Sequence, residues 1–256
     1  IEFMGGETAD VGDVVRTIAV NGTMGARWQK DRLITNEKIA PGNVIIGLAS
    51  YGKSTYEQDY NSGIGSNGLT SARHDVLNKK YKANYPETFD ASLNDDVVYI
   101  GKYDLTDSIE IEYKQERFKT NIGKLILSPT RTFAPVMKQL LTEHFDKIAG
   151  LIHCSGGGQT KCMKYMPERV RVVKDNLFQP PPIFNIIQDC SGAGDKEMYE
   201  VFNMGCRLEI YTNEKAADEI IKVSESFGID AQVIGRVEAA EKNELQLKLH
   251  NQTINY

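Results

Sequence analysis

The residues of this chain best suited to chemistry lie in one run, His153-Cys154-Ser155-Gly156-Gly157-Gly158, continued by Gln159-Thr160-Lys161. An apolar segment, residues 148–152, leads into the run, and a helix-capable segment, residues 161–166, leaves it. Three consecutive glycines between a strand and a helix let the backbone approach a ligand, and their amides, with the helix N-terminus, can point together at an anion. A helix-start turn that holds no ligand uses the same letters. His153 is either a general acid or base or a structural histidine at a strand end. The run by itself does not choose between these readings.

Two further groups carry charge at suggestive positions. Glu7 and Asp10 lie three residues apart beside the Gly5-Gly6 turn, and an oxygen-only pair suits Mg²⁺, although a solvated acidic turn is spaced in the same way. Arg131 follows Ser128-Pro129-Thr130 at the expected start of a helix. A cation in a first turn opposes the helix dipole, which points either to an acidic or phosphate partner or to an arginine in solvent.

The elements that must position these groups follow from pattern. Residues 14–24 and 44–49 read as strands, and Pro41-Gly42-Asn43 as the turn before the second. A Gly-, Ser-, Tyr- and Asn-rich loop fills residues 50–68, and a helix is expected over 69–80. Residues 81–121 read as an insertion or peripheral hairpin, with possible edge strands at 97–100 and 108–113. The helix opened by Ser128 has Phe133, Val136, Met137, Leu140, Leu141 and Phe145 on one apolar face. Strands are expected at 170–173, 206–211, 231–237 and 245–249, and helices at 183–190, 196–202 and 214–227. Asp195 reads as the N-cap of the second of these helices. Strands and helices mix without strict βαβ alternation, so the fold class is α+β.

Composition excludes several functions. The 256 residues are 41% hydrophobic and 25% charged with a net charge of −5, a globular composition with no basic footprint for nucleic acid. The most basic stretch, residues 168–174, alternates charge with apolar residues and reads as a strand with one wet face. The four cysteines form no CxxC pair and read as reduced, mostly buried thiols rather than zinc ligands or a disulfide framework. No apolar run reaches the roughly 18 residues of a membrane span, and the first residues do not resemble a signal peptide, so the expected location is cytoplasmic. There is no GxxxxGK[ST], HExxH or GxSxG motif. Gly63-Ile64-Gly65-Ser66-Asn67-Gly68 fits GxGxxG in letters but lies in a long polar loop.

Taken in order, seven segments resemble the phosphoribosylformylglycinamidine cyclo-ligase (aminoimidazole ribonucleotide synthetase) family. They are Gly5-Gly6-Glu7-Thr8-Ala9-Asp10, Gly47-Leu48-Ala49-Ser50, Ser66-Asn67-Gly68, Leu127-Ser128-Pro129-Thr130-Arg131, the His153 to Gly158 run, Glu197-Met198-Tyr199 with Phe202-Asn203-Met204-Gly205, and Ile234-Gly235-Arg236-Val237. The resemblance implies an ATP-dependent ring closure. ATP converts the formyl amide oxygen of formylglycinamidine ribonucleotide into a phosphate leaving group, and the amidine nitrogen then closes the imidazole. It also implies Mg²⁺–ATP held by Gly5, Gly6 and Thr8 with Glu7 and Asp10 on the metal. His153, Asn67 and Arg131 would take the catalytic positions. Ser66, Gly68, Thr130, Gly156, Gly157, Gly158, Asn203 and Gly205 would line the phosphoribosyl substrate.

By the same resemblance, residues 1–38 would be the end of an ATP-binding and dimerisation domain, and residues 39–256 a C-terminal α+β domain with a mixed sheet. The intact protein would be a homodimer, and these residues alone would be inactive. Three features depart from the family pattern: no Asp-Gly-Val-Gly-Thr-Lys-like nucleotide motif occurs, Gly65 stands where the pattern has His, and residues 81–121 are long. The alternatives are another enzyme of the same ATP-binding superfamily, of the selenophosphate synthetase or thiamine-phosphate kinase type, or a non-catalytic ligand-binding domain of that fold.

Overall fold

The computed structural model describes residues 22–256. The Gly5 to Asp10 segment, with Gly5, Gly6, Glu7, Thr8 and Asp10, lies outside the described residues, as does most of the strand expected at 14–24. Residues 22–24 carry no strand.

The chain runs through β1 (Val44–Ala49), α1 (Leu69–Val76), α2 (Lys80–Asn84), β2 (Ser108–Tyr113), β3 (Glu116–Asn121), α3 (Ile122–Ile126), α4 (Ala134–Glu143) and β4 (Ile148–His153). It continues through β5 (Val170–Lys174), α5 (Pro182–Ser191), α6 (Asp195–Val201), β6 (Cys206–Thr212), α7 (Glu214–Ser226), β7 (Ala231–Ala239), β8 (Glu244–Lys248) and β9 (Thr253–Asn255). Seven strands form one mixed sheet in the order β4-β6-β1-β7-β5-β8-β9. Every neighbour pair is antiparallel except β5 with β8. β2 and β3 make a separate hairpin. The class is α+β, as the mixed strand–helix pattern predicts.

Helices cover both faces of the sheet, so its central strands cannot show a wet side. β1 lies between β6 and β7 and sends Ile46 and Leu48 to one face, where they meet Phe133, Val136 and Leu140 around α4 and Ala217, Ile220 and Val223 of α7. Ile45 and Ala49 belong to the opposite core, with Ala72 and Val76 of α1, Ile183, Phe184 and Ile187 of α5, and Met198 and Tyr199 of α6. Each buried aliphatic side chain contributes about 1.5–3 kcal/mol relative to exposure. Ahead of β1, Asn36 clasps the backbone of Leu151 in β4, accepting from its N–H at 2.8 Å and donating to its carbonyl at 3.3 Å.

Several boundaries differ from the pattern, each for a local reason. α4 begins at Ala134 with Pro135 in its first turn, not at Ser128. Ser128 Oγ instead accepts from Ser62 N and donates to Lys124 O, which ties the preceding segment to the neighbouring loop. The helix expected over 69–80 breaks at Leu77, whose backbone is extended, and Asn78 turns its side chain to Tyr103 and Asp104. Residues 97–100 are not a strand: a 3-10 turn covers Asp95–Val97 and Tyr99 has a φ of 50°. Gly194, not Asp195, is the N-cap of α6, because the Asp195 carboxylate accepts from Gln188 and Gln252. Lys174, expected on a wet strand face, is fully buried because the 158–164 turn and β6 cover it. β9 escaped the pattern altogether; three residues are too few for a periodic signal.

Candidate functional site

Four connections meet beyond one end of β1, β4 and β6. They are the 50–68 loop, the segment 128–131, the 154–158 loop and the 202–205 turn. The chemistry of their side chains explains how they are held. Asn203, buried, is the hub: its Oδ1 accepts from Ser50 Oγ at 2.7 Å and from Gly205 N at 3.0 Å, and its Nδ2 donates to Gly63 O at 2.9 Å. Ser50 N also donates to Gly205 O at 2.9 Å. Ser66 N donates to Thr130 Oγ1 at 3.0 Å, which brings the third connection in. A Cβ built on Gly156 would stand 3.0 Å from Asn67 Nδ2, so the glycine run faces the Ser66-Asn67-Gly68 segment. Gly158 has a φ of +47°, and a Cβ there would lie 2.4 Å from Phe202 O, so only glycine lets the run seat on the 202–205 turn.

The structure thus brings Ser66, Asn67, Gly68, Thr130, Gly156, Gly157, Gly158, Asn203 and Gly205 to one place. Ser66 and Thr130 are exposed, Asn67, Gly68, Gly156 and Gly157 half-buried, and Gly158, Asn203 and Gly205 buried, so the group has a wet rim and a dry floor. The turn after the glycines is a 3-10 helix, Gly158–Lys164, rather than the expected α-helix, and it offers no long-helix dipole.

Arg131 corrects an expectation. Its guanidinium is not turned to a ligand but buried at 3% exposure, with all three nitrogens engaged. Nε and Nη2 donate to the two carboxylate oxygens of Glu57 at 3.0 and 2.6 Å, and Nη1 donates to Ala49 O and Tyr51 O at 2.9 and 2.8 Å. The acidic partner its position called for is inside this chain. Burial works against the Glu57 carboxylate, yet the Arg131 hydrogen bonds hold its pKa below the ordinary value. Arg131 therefore positions the 50–57 loop, with four of its five N–H donors spent inside the chain.

Beneath the glycine run lies a polar network. Lys174 Nζ pairs with Glu209, both side chains wholly buried, and donates to Gln159 O at 2.8 Å and Gln159 Oε1 at 3.1 Å. Tyr211 Oη donates to Glu209 Oε2 at 2.7 Å and Cys154 Sγ donates to Oε1 at 3.2 Å. Gln159 Nε2 donates to Asn203 O at 2.6 Å and Cys206 O at 2.9 Å, which fastens the run to the 203–206 turn. Burial pushes the Cys154 and Cys206 thiols well up, and the Cys162 thiol to about 11. They are inert protonated thiols, as the cysteine contexts predicted, and not nucleophiles.

His153 stands exposed at the end of β4, with the Phe133 ring at 6.4 Å. Partial burial, and then the positive charges of Arg207 and Lys161, hold its pKa below the usual imidazole value. It is neutral at neutral pH and can accept or donate a proton. Gly65, at a φ of +65°, gains a physical reason for having no side chain: a Cβ there would fall 2.1 Å from Arg207 Nη2. A side chain at this position would need the Arg207 guanidinium to shift.

Arg207, Glu57 and Glu209 were not singled out from the sequence, and Gln159, Lys161 and Lys174 were read without a role in the site. The available signal was the alternation Arg207-Leu208-Glu209-Ile210-Tyr211, which assigns the polar residues to one strand face. Alternation alone reads as a wet face; here helices cover that face and the charges are interior. Among the described residues no three His, Cys, Asp or Glu side chains converge on a possible metal position, and no helix is long and apolar enough to cross a membrane.

The family described as AIR synthase related protein, C-terminal domain, matches residues 111–248. The chain belongs to this family. It is 32% identical over 237 residues to the phosphoribosylformylglycinamidine cyclo-ligase of Methanocaldococcus jannaschii, covering 93% of this chain and 56% of that protein. It is 30% identical over 242 residues to the Bacillus licheniformis protein of the same name, covering 93% and 58%. The chain therefore spans a little over half the length of the curated relatives it matches. Among solved structures, T. maritima PurL complexed with FGAR aligns at a TM-score of 0.46 and 12% identity, over 88% of this chain and 29% of that one. E. coli HypE, a hydrogenase maturation protein, aligns at 0.44 and 13%, over 86% and 51%.

Proposed function

We propose that this chain forms the phosphoribosyl-substrate side of an ATP-dependent cyclo-ligase, which closes the imidazole ring of formylglycinamidine ribonucleotide to give aminoimidazole ribonucleotide in purine biosynthesis. One observation carries the reading: four of the seven segments that resemble the cyclo-ligase family, dispersed from residue 66 to residue 205, meet in a single rim and floor. The names of the relatives at about 30% identity point the same way.

The chemistry asks for little nucleophilic power. ATP, when bound, supplies the phosphoryl group that turns the formyl oxygen into a leaving group. What the described residues contribute is positioning. Asn67 and the Ser66 and Thr130 hydroxyls offer neutral donors and acceptors at the rim, and the Gly156 and Gly157 backbone can lie close to the substrate. Neutral His153 is placed to hold or move a proton as the ring closes. Asn203 and Gln159 keep the loops in register without touching substrate. Glu7 and Asp10, with Gly5, Gly6 and Thr8, remain the proposed Mg²⁺–ATP side, the intact enzyme a homodimer, and the cytoplasm its location. The 256 residues alone are expected to bind the ribonucleotide without turning it over.

The test is steady-state kinetics of the intact enzyme with Asn67→Ala and with His153→Asn, whose side chains make no hydrogen bond among the described residues. Asn67→Ala should raise KM for formylglycinamidine ribonucleotide, and His153→Asn should lower kcat. Parental KM and kcat in both variants would overturn the assignment.

A further inference from the structure

Three large cations are buried on the loop side of the sheet, and two of them have an acid. Lys174 has Glu209 and Arg131 has Glu57. Arg207, 1% exposed, has no carboxylate in ion-pair contact among the described residues. Its side-chain hydrogen bonds among the described residues both come from Nη2, to Gly63 O at 3.2 Å and Ile64 O at 2.8 Å. Nε and Nη1 have no partner among the described residues. The two carbonyls do not depend on the guanidinium, since Asn203 Nδ2 already donates to them at 2.9 and 3.5 Å. A neutral side chain would thus fill the position with less desolvation of charge.

The surroundings are as one-sided as the residue. Lys161, half-buried on the turn after the glycine run, donates to Ser155 Oγ at 3.4 Å and has no ion pair among the described residues. The positive charges of Arg207 and Lys161 both act on His153, at the end of β4. The guanidinium lies against the bare Cα of Gly65: an ideal Cβ there would be 2.1 Å from Nη2, 2.5 Å from Cζ and 2.8 Å from Nη1. Gly65 directly precedes the rim residues Ser66 and Asn67. A buried guanidinium with spare donors and a second unpaired cation, beside acids that are each already paired, describe a receptor for a compact dianion.

We propose that Arg207, assisted by Lys161, receives the phosphate monoester of the ligand, with Gly65 kept free of a side chain so that the guanidinium can reach it. The sugar-phosphate identity of that ligand rests on the function proposed above; the anion receptor does not. A phosphate monoester can come from a ribose phosphate or from a nucleotide, and the test separates the two.

The experiment is calorimetry and thermal melting of the full chain with inorganic phosphate, ribose 5-phosphate and ADP at matched ionic strength. The variants are Arg207→Met, Lys161→Gln and Gly65→Ala. The parent should bind ribose 5-phosphate more tightly than inorganic phosphate. Arg207→Met should lose about tenfold or more in affinity, the loss of one charge-assisted contact, while its ligand-free Tm stays at or above the parent's. Lys161→Gln should fold as the parent and weaken binding by a smaller factor. Gly65→Ala, which drives a methyl into the guanidinium, should weaken it too. Parental affinity in Arg207→Met, or in both Lys161→Gln and Gly65→Ala if Arg207→Met does not fold, overturns the proposal. So does a lowered Tm with intact binding, which would make Arg207 a clamp for the loop carbonyls. Arg207-dependent binding of ADP without ribose 5-phosphate would keep the receptor and overturn the sugar-phosphate reading.

Discussion

The two faces of the seven-stranded sheet are made from the same strands and serve opposite ends. On the face under α4 and α7, Ile46, Leu48, Leu208 and Ile210 meet aliphatic and aromatic side chains. On the other face the residues interleaved with these, Arg207, Glu209 and Tyr211, join Lys174 and Gln159 in a polar, almost wholly dry patch set within the larger apolar core. A purely apolar layer would be the more stable choice there, because a buried ion pair seldom recovers its desolvation. The charged face lies under the glycine run and the Asn203 turn, and the apolar face does not. The contrast teaches where this chain gives up stability for fixed geometry.

The largest expected effect comes from splitting the charged face. Glu209→Gln leaves the Lys174 ammonium buried without a counter-ion and should cost about 3–5 kcal/mol in urea unfolding. The double variant Lys174→Met with Glu209→Leu should recover most of that loss. If the single and double variants were equally unstable, the pair would not be a coupled ionic unit. Next comes the apolar face, where Leu140→Ala should cost about 2–5 kcal/mol through its cavity. Because that cavity opens away from the loops, the affinity for ribose 5-phosphate should not change; a parallel loss of binding would mean the two faces are not independent.

Smaller effects should appear with pH. The Glu57 carboxylate titrates below its ordinary value in the folded chain, so its contribution is present above about 4.5 and is lost as pH falls through the folded pKa. Arg131→Met should remove that acid-side dependence. His153 and His74 are held below 6.5 in the folded chain by burial and by neighbouring cations. The folded state therefore binds fewer protons than the unfolded one, and stability should decline as pH falls from about 6.5. Proton NMR should give a His153 midpoint below 6.5, and a midpoint above it would place an anionic group at this position.

How much of this was legible in the sequence divides along the same line. The apolar face declared itself: the 3.6-residue spacing of Phe133, Val136 and Leu140 marks α4, and β1 reads as a buried strand from Val44 to Ala49. The loops of the site were visible through their letters, since Gly156 to Gly158 and Ser66 to Gly68 are unusual runs. Their convergence was not visible, because Asn203 is joined to Ser50 across 153 residues. The charged floor was illegible for a more basic reason. Arg207 and Glu209 alternate with Leu208 and Ile210 as a solvated strand would, and only the helices packed over them make them interior. Arg131 shows the same limit: its charge was noticed at the helix start, but Glu57, 74 residues away, is what it answers to.

The most direct test of the converging loops is a backbone-amide NMR titration of the chain with formylglycinamidine ribonucleotide. A cavity of ≈ 650 Å³ away from these loops, lined by residues that include Asn176, Gln179, Asp195, Lys248 and Gln252, provides an internal comparison. Perturbations centred on Ser66 to Gly68, Gly156 to Gly158 and Lys161, with the Asn176 and Gln252 amides unmoved, are the predicted result. Perturbations confined to that cavity, with the glycine run silent, would contradict the account.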